Sequence, residues 1–159
     1  MRVEIDQSGK IEDTSKNTVL AFSNKIWSAI VIPAKVKRQM QEIFRRRGKP
    51  RIFVLRTFAA GIVLLIKDSQ KQITDVQIDT EYSGHEAVIK DIIVQMLREQ
   101  NISEPNIYFG RIGKKSMAHH KAYAVALGKL EPKRKIDLDD LLEIIIKKDR
   151  GHQGRLKSG

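Results

Sequence analysis

The chain has no cysteine. That excludes disulfide scaffolds, zinc-thiolate sites, iron–sulfur clusters and thiol nucleophiles. It also lacks any apolar run approaching the ~20 residues a membrane-spanning helix needs. The opening Met1-Arg2-Val3-Glu4-Ile5-Asp6 alternates polar and apolar residues, which is not the pattern of a signal-peptide core. A cytoplasmic protein with no membrane partner is the expectation. The Walker loop, a GxGxxG after a strand, HExxH and GxSxG are all missing, as are internal repeats and low-complexity segments. Aromatic residues make up only 6%, which argues against a base-stacking platform for single strands.

What remains is a globular composition, 41% hydrophobic and 31% charged over 159 residues. One domain over residues 1–148 is expected, followed by a polar basic tail, 149–159. The formal charge is +11, and its distribution is uneven. Residues 33–56 carry nine basic side chains against one acid, and residues 111–135 carry eight against one. The intervening 57–110 has eight acids and four bases. Blocks this one-sided point to a polyanion, and nucleic acid is the expected partner. The expected contacts are Lys35, Lys37, Arg38, Arg45, Arg46 and Arg47 in the first block, and Lys114, Lys115 and Lys121 in the second. Solvated helix faces are the alternative for both blocks.

Hydrophobic spacing predicts strands at 2–6, 17–23 and 25–32, joined by turns at Gln7–Lys10 and Asn24. Pro33 opens a helix to about Arg47, with Val36, Met40, Ile43 and Phe44 on one stripe. A largely apolar helix is expected over 50–67, with a strand as the alternative for its second half. A polar loop at 68–71 leads to a strand at 74–79. Ser83 and Glu86 then form a capping box for a helix ending near Glu99. A strand at 106–112, a helix capped by Ser116 and stopped by Gly128, and a last helix capped by Asp137 complete the chain. The implied fold is α/β. A three-strand antiparallel meander is followed by βαβ units in a mixed five-stranded sheet, with strand 1 central, strand 3 at an edge and helices on both faces.

Chemistry centres on acids at strand ends. Asp6 ends the first strand and Asp79 the fourth, and neighbouring strands bring the two carboxylates together. Such a pair repels unless a cation relieves it, and oxygen ligands suit Mg²⁺ or Mn²⁺. An Asx-turn is the alternative role for Asp6, a solvent-exposed strand end for Asp79, a loop charge for Glu81 and a helix cap for Glu86. His119 falls in the first turn of the Ser116 helix, on the face of Ala122 and Ala126, where a purely structural role is the alternative. The Lys114-Lys115-Ser116 helix start suits a phosphate.

Three segments together resemble the catalytic core of the ribonuclease H-like superfamily, most of all its Piwi/Argonaute branch. They are Val3-Glu4-Ile5-Asp6, Val76-Gln77-Ile78-Asp79 followed by Glu81, Gly84 and Glu86, and Ala118-His119-His120-Lys121-Ala122-Tyr123. The resemblance covers about residues 2–128. It implies a ribonuclease H-like sheet, an Asp6–Asp79–His119 site for Mg²⁺ or Mn²⁺, and hydrolysis of nucleic-acid phosphodiester bonds. Glu81 or Glu86 is the candidate for the fourth acid of such a site. The guide-holding domains of Argonautes have no counterpart here. A non-catalytic nucleic-acid-binding module with a degenerate site is the alternative function. The distance between the Asp6 and Asp79 carboxylates discriminates the two.

Overall fold

The computed structural model describes residues 1–69 and 72–146. The 149–159 tail, the end of the 1–148 domain span and the end of the 68–71 loop fall outside these residues. Three strands open the fold: β1 Arg2–Ser8, β2 Thr18–Ser23 and β3 Trp27–Ile32. Helix α1 Ala34–Arg46 follows, then a 3₁₀ turn Pro50–Ile52 running into α2 Phe53–Lys67. β4 Asp75–Ile78, α3 Glu86–Glu99, β5 Asn106–Phe109, α4 Met117–Ala126 and β6 Arg134–Lys135 come next. A final helix, α5, occupies 138–146. No helix among the described residues is long and apolar enough to cross a membrane.

The sheet is mixed and six-stranded, in the order β5-β4-β1-β2-β3-β6. β1 is central, antiparallel to β2 and parallel to β4, as its flanking connections require. The expected five strands become six because residues 134–135 add in parallel beside β3, which is therefore not an edge strand. Lys133-Arg134-Lys135 carries no strand signal. Ion pairs hold the segment there instead: Arg134 donates to both oxygens of Asp68 (2.9 and 3.0 Å) and to Asp140. Asp137 and Asp140 then cap α5 reciprocally through each other's amides (2.8 and 2.9 Å).

Alternation along the strands divides the molecule into two layers of unequal size. Val3, Ile5, Leu20, Phe22, Ile30, Ile32, Val76 and Ile78 face a large core shared with α1, α2, α3 and α5. Helix α2 is buried through almost its whole second half, which settles the helix against the strand alternative. Gly61 lets it lie close to the sheet, since a Cβ there would meet Leu20 Cδ1 at 2.6 Å. The opposite face presents Val19, Ala21, Ala29 and Val31 to Ala122 and Val125 of α4. Small residues on both sides bring α4 close to β1, β2 and β3.

Three expectations change here. β1 continues through Ser8, so Asp6 lies inside the strand, paired with Ala21. Ser83 does not cap α3. The chain turns at Gly84, whose φ of +86° is incompatible with a helix, and α3 starts at Glu86 with no side-chain cap. Lys37 is not on the surface. It is fully buried, and its ammonium donates to the Lys10 carbonyl (3.0 Å), the Asp13 carbonyl (2.6 Å) and Thr18 Oγ1 (3.0 Å). Burial pushes its pKa down, and three oxygens satisfy all three of its donors. Lys37 pins the 10–18 connection to α1. Lys37→Ala is expected to destabilise the protein by about 2–4 kcal/mol in urea denaturation, by leaving buried oxygens unsatisfied. Buried in this way, Lys37 is not available for the nucleic-acid contact expected of it.

Candidate metal centre

The carboxyl ends of β1 and β4 lie side by side. The parallel register matches Ile5 with Ile78, and one step on the Asp79 amide donates to the Ile5 carbonyl (3.0 Å). Asp6 and Asp79 therefore point to the same side of the sheet, the side that α4 covers. Glu81, two residues further into the loop, joins them. One ligand oxygen from each of Asp6, Asp79 and Glu81 lies within 4.8 Å of the other two.

Each carboxylate is held. Asp6 is 4% exposed. Its Oδ1 accepts from the Gln7 amide (2.9 Å), and its Oδ2 accepts from His119 Nδ1 (2.8 Å). Burial nonetheless raises the pKa of Asp6, against the lowering pull of these two donors and with the charge of Asp79 adding to the rise. Asp79 Oδ1 accepts from the Ile112 amide (2.7 Å), which ties β4 to the loop leading into α4. The pKa of Glu81 is pushed up to about 7 by burial, by its hydrogen bond to Asp79 and by the negative charges of Asp79 and Asp6. Tyr82 anchors the loop that holds it. The Tyr82 hydroxyl accepts from the Ile11 amide (3.2 Å) and lies 3.4 Å from the Gln7 amide group, and its ring packs edge-on against Phe58.

The expected Asp6–Asp79–His119 trio is not assembled as such. Glu81 completes the group with Asp6 and Asp79, while His119 meets Asp6 through Nδ1. With Nδ1 donating, the neutral imidazole keeps its lone pair on Nε2. Glu86, the other candidate acid, opens α3 and stands outside the group. Ser116 caps α4 as expected, accepting from the Ala118 amide (3.2 Å). Its hydroxyl also donates to Glu4 (3.2 Å), so a carboxylate already attends the helix start that had suited a phosphate. Glu4 and Tyr82 were missed from sequence. The strand alternation that puts Glu4 and Asp6 on one face was the signal for the first. Nothing in the local pattern marked the second.

The first basic block and the 114–121 part of the second fall on different sides of the sheet, while Lys133 and Arg134 of the second bond Asp68 after α2. Lys114 and Lys115 are exposed in the loop entering α4, and Lys121 lies on α4 with its ammonium 4.9 Å from the centre of the Trp27 ring. This block borders the carboxylates. Lys35, Arg38, Arg45, Arg46 and Arg47 are exposed on α1, which packs against α2 on the far side. There Arg45 and Arg46 pair with Glu42 (both 3.1 Å), and Arg38 donates to the Thr14 carbonyl (2.8 Å). One straight backbone cannot follow both blocks. The chain matches no protein-family model, no curated protein and no solved structure.

The donor set is three oxygens of hard carboxylate type, which fits Mg²⁺ or Mn²⁺ better than a thiophilic metal. The pKa of Glu81 lies above its ordinary 4.5 in the folded chain, so its protonated form favours folding. That stabilisation is complete below about 4.5 and is lost as the pH rises through about 7. The rise at Asp6 acts in the same direction. Thermal melts without metal should show stability falling over this window, and Glu81→Gln should flatten the profile. Mn²⁺ affinity should climb about tenfold per pH unit below 7, as one proton is displaced. A flat profile in the wild type would remove the buried-acid account of this site.

Proposed function

We propose that this protein is a divalent-cation-dependent nuclease of ribonuclease H-like architecture, hydrolysing nucleic-acid phosphodiester bonds beside α4. The observation that supports this most is the convergence of Asp6, Asp79 and Glu81 within 4.8 Å at the carboxyl ends of two parallel strands. Such a separation is the outcome that favours an enzyme over a degenerate binding module. The strand arrangement, with β1 between antiparallel β2 and parallel β4, supports the ribonuclease H-like assignment. So does the placement of one acid on β1 and another just after β4.

In this reading Asp6, Asp79 and Glu81 hold Mg²⁺ or Mn²⁺. A cation bound there lowers the pKa of a coordinated water and stabilises the leaving oxygen. The protein does the rest. The Gln7 amide and His119 fix both oxygens of Asp6, and the Ile112 amide fixes Asp79, so the oxygens are oriented in advance. Glu81 would hold the cation in its ionised form, so binding there would displace its proton. In this reading Nε2 of His119, left as an acceptor by the Asp6 bond, is the group that takes a proton beside Asp6. Lys114 and Lys115 supply positive charge for the substrate backbone at the mouth of the site.

Melting with and without Mn²⁺, together with a panel of single strands, duplexes, hybrids and junctions, tests the proposal. At a hundredfold excess over Kd, Mn²⁺ should stabilise the native state by about 2.7 kcal/mol. Asp79→Asn keeps the oxygen that accepts from Ile112 and relieves like-charge repulsion. Its metal-free form should melt at or above the wild type. It should lose the Mn²⁺ shift, and cleavage should fall more than about 100-fold, beyond the cost of losing an outer-shell partner. A wild type that neither shifts with Mn²⁺ nor cuts any substrate would leave the binding-module reading in its place.

A further inference from the structure

The scarcity of aromatic residues argues against a single-strand platform, but only four of the nine rings are buried: Tyr108 is exposed with its hydroxyl donating to Asp75, while Trp27 (36% exposed) and Tyr123 (56% exposed) stand on the α4 side of the sheet. Trp27 opens β3 in alternation with Ala29 and Val31, so it stands on the face that α4 covers, just beyond the seat of small residues. Lys121 of α4 lies over its ring. On the opposite flank of the same helix, His119 reaches Asp6 of β1, and Tyr123 one turn on has its ring within 7° of parallel to the His119 ring. Lys114 and Lys115 stand at the start of the helix. No acidic residue occurs between Glu104 and Glu131.

We infer that the outward face of α4 is a platform for single-stranded nucleic acid, on which bases stack against Trp27 and Tyr123 while Lys114, Lys115 and Lys121 neutralise phosphates. Exposed rings interleaved with cations are what an unpaired strand recognises, because every unpaired base offers a π-face and every linkage a charge. A duplex hides its base faces and cannot use the rings in this way. The two rings flank a helix about 10 Å across, which at about 3.4 Å per nucleotide spans roughly three bases. A second copy of the chain is the competing occupant, given that Met117 and Leu127 are also exposed. Charge disfavours it, since such a dimer would bring two clusters of Lys114, Lys115 and Lys121 face to face with no acid between Glu104 and Glu131 to offset them. The inference extends the nuclease reading by naming the substrate as unpaired strand led across α4 to the carboxylates. Its test is independent of cleavage.

Trp27 is the single tryptophan, so its fluorescence reports on this surface alone. The experiment titrates the whole protein in EDTA with oligo(dT) and with a blunt duplex of equal length. The single strand should quench Trp27 saturably. The duplex should bind more weakly and leave the emission largely unchanged. Tyr123→Ala should weaken single-strand binding about 5- to 150-fold without changing the salt slope, and Tyr123→Phe should restore it. Replacing Lys114 and Lys115 with Ala should instead reduce the salt slope by about 1.4. Equal quenching by duplex, unaltered affinity in Tyr123→Ala, or concentration-dependent dimerisation that alone shifts Trp27 emission would each overturn the platform. Cleavage of the same oligonucleotides in Mn²⁺ is scored separately. Quenching by a wild type that neither shifts with Mn²⁺ nor cuts any substrate of the panel would leave the platform standing and sink the nuclease reading.

Discussion

The parallel pairing of β1 with β4 is the constraint on which the rest of the site depends. Hydrogen bonds alone do not choose its register. Val3, Ile5, Val76 and Ile78 do, by burying their side chains in one core. A slip of one residue would turn every side chain of β4 to the other face and send Asp79 into the hydrocarbon layer. The apolar side of two strands thus fixes the acids on the polar side. The same logic reaches α4. Ala21, Ala29, Ala118 and Ala122 leave so little volume between helix and sheet that His119 meets Asp6 at hydrogen-bond distance.

Gathering three carboxylates opposes folding, and the chain offsets this in two ways. Donors aimed at fixed oxygens favour the charged forms of Asp6 and Asp79: the amides of Gln7 and Ile112, and the imidazole of His119. Hydrogen bonds to charged groups contribute about 1.5–3 kcal/mol each. Glu81 instead shares a hydrogen bond with Asp79, and burial and the neighbouring negative charges push its pKa up to about 7. The group is therefore asymmetric, with two anchored carboxylates and one adaptable acid. That asymmetry suits a site that must accept and release a cation, because the affinity is tuned by a proton and the geometry by the backbone.

Much of this fold could be read from alternation and helical spacing. β2, α1, α2 and α4 lie where apolar residues and Pro or Gly signals put them, and so does the central place of β1, while β3 starts two residues later than expected and β5 stops at Phe109 rather than Ile112. The misreadings share a physical cause, namely long-range contacts that local pattern does not encode. Lys37 has the sequence context of a surface cation on α1, and only the fold reveals three oxygens waiting for it. Arg134 forms strand because Asp68 and Asp140 hold it there. Ser83 fits a capping box by spacing, but the left-handed turn at Gly84 intervenes. At the site, Asp6, Asp79 and His119 were marked by strand ends and a helix start. Their division of labour was not, because the choice between Glu81, Glu86 and His119 rests on how a loop pinned by Tyr82 curls back over the sheet.

The unequal layers bear on how such a site works. The larger core joins four helices to one face of the sheet and holds most of the fully buried side chains. The layer beneath α4 is thin, built largely of alanine and valine. Small apolar contacts contribute less free energy per residue than the Phe, Leu and Ile packing opposite, so α4 relies more on close approach to the strands and on polar ties than on buried side-chain area. Asp6 to His119, Glu4 to Ser116 and Trp27 to Lys121 are polar or cation–π ties from three points of the sheet to this one helix. They hold α4 in register where hydrophobic burial is weakest. Any ligand that engages α4 and the strand ends together would act on this thin layer, while the opposite core fixes the strands that carry Asp6 and Asp79.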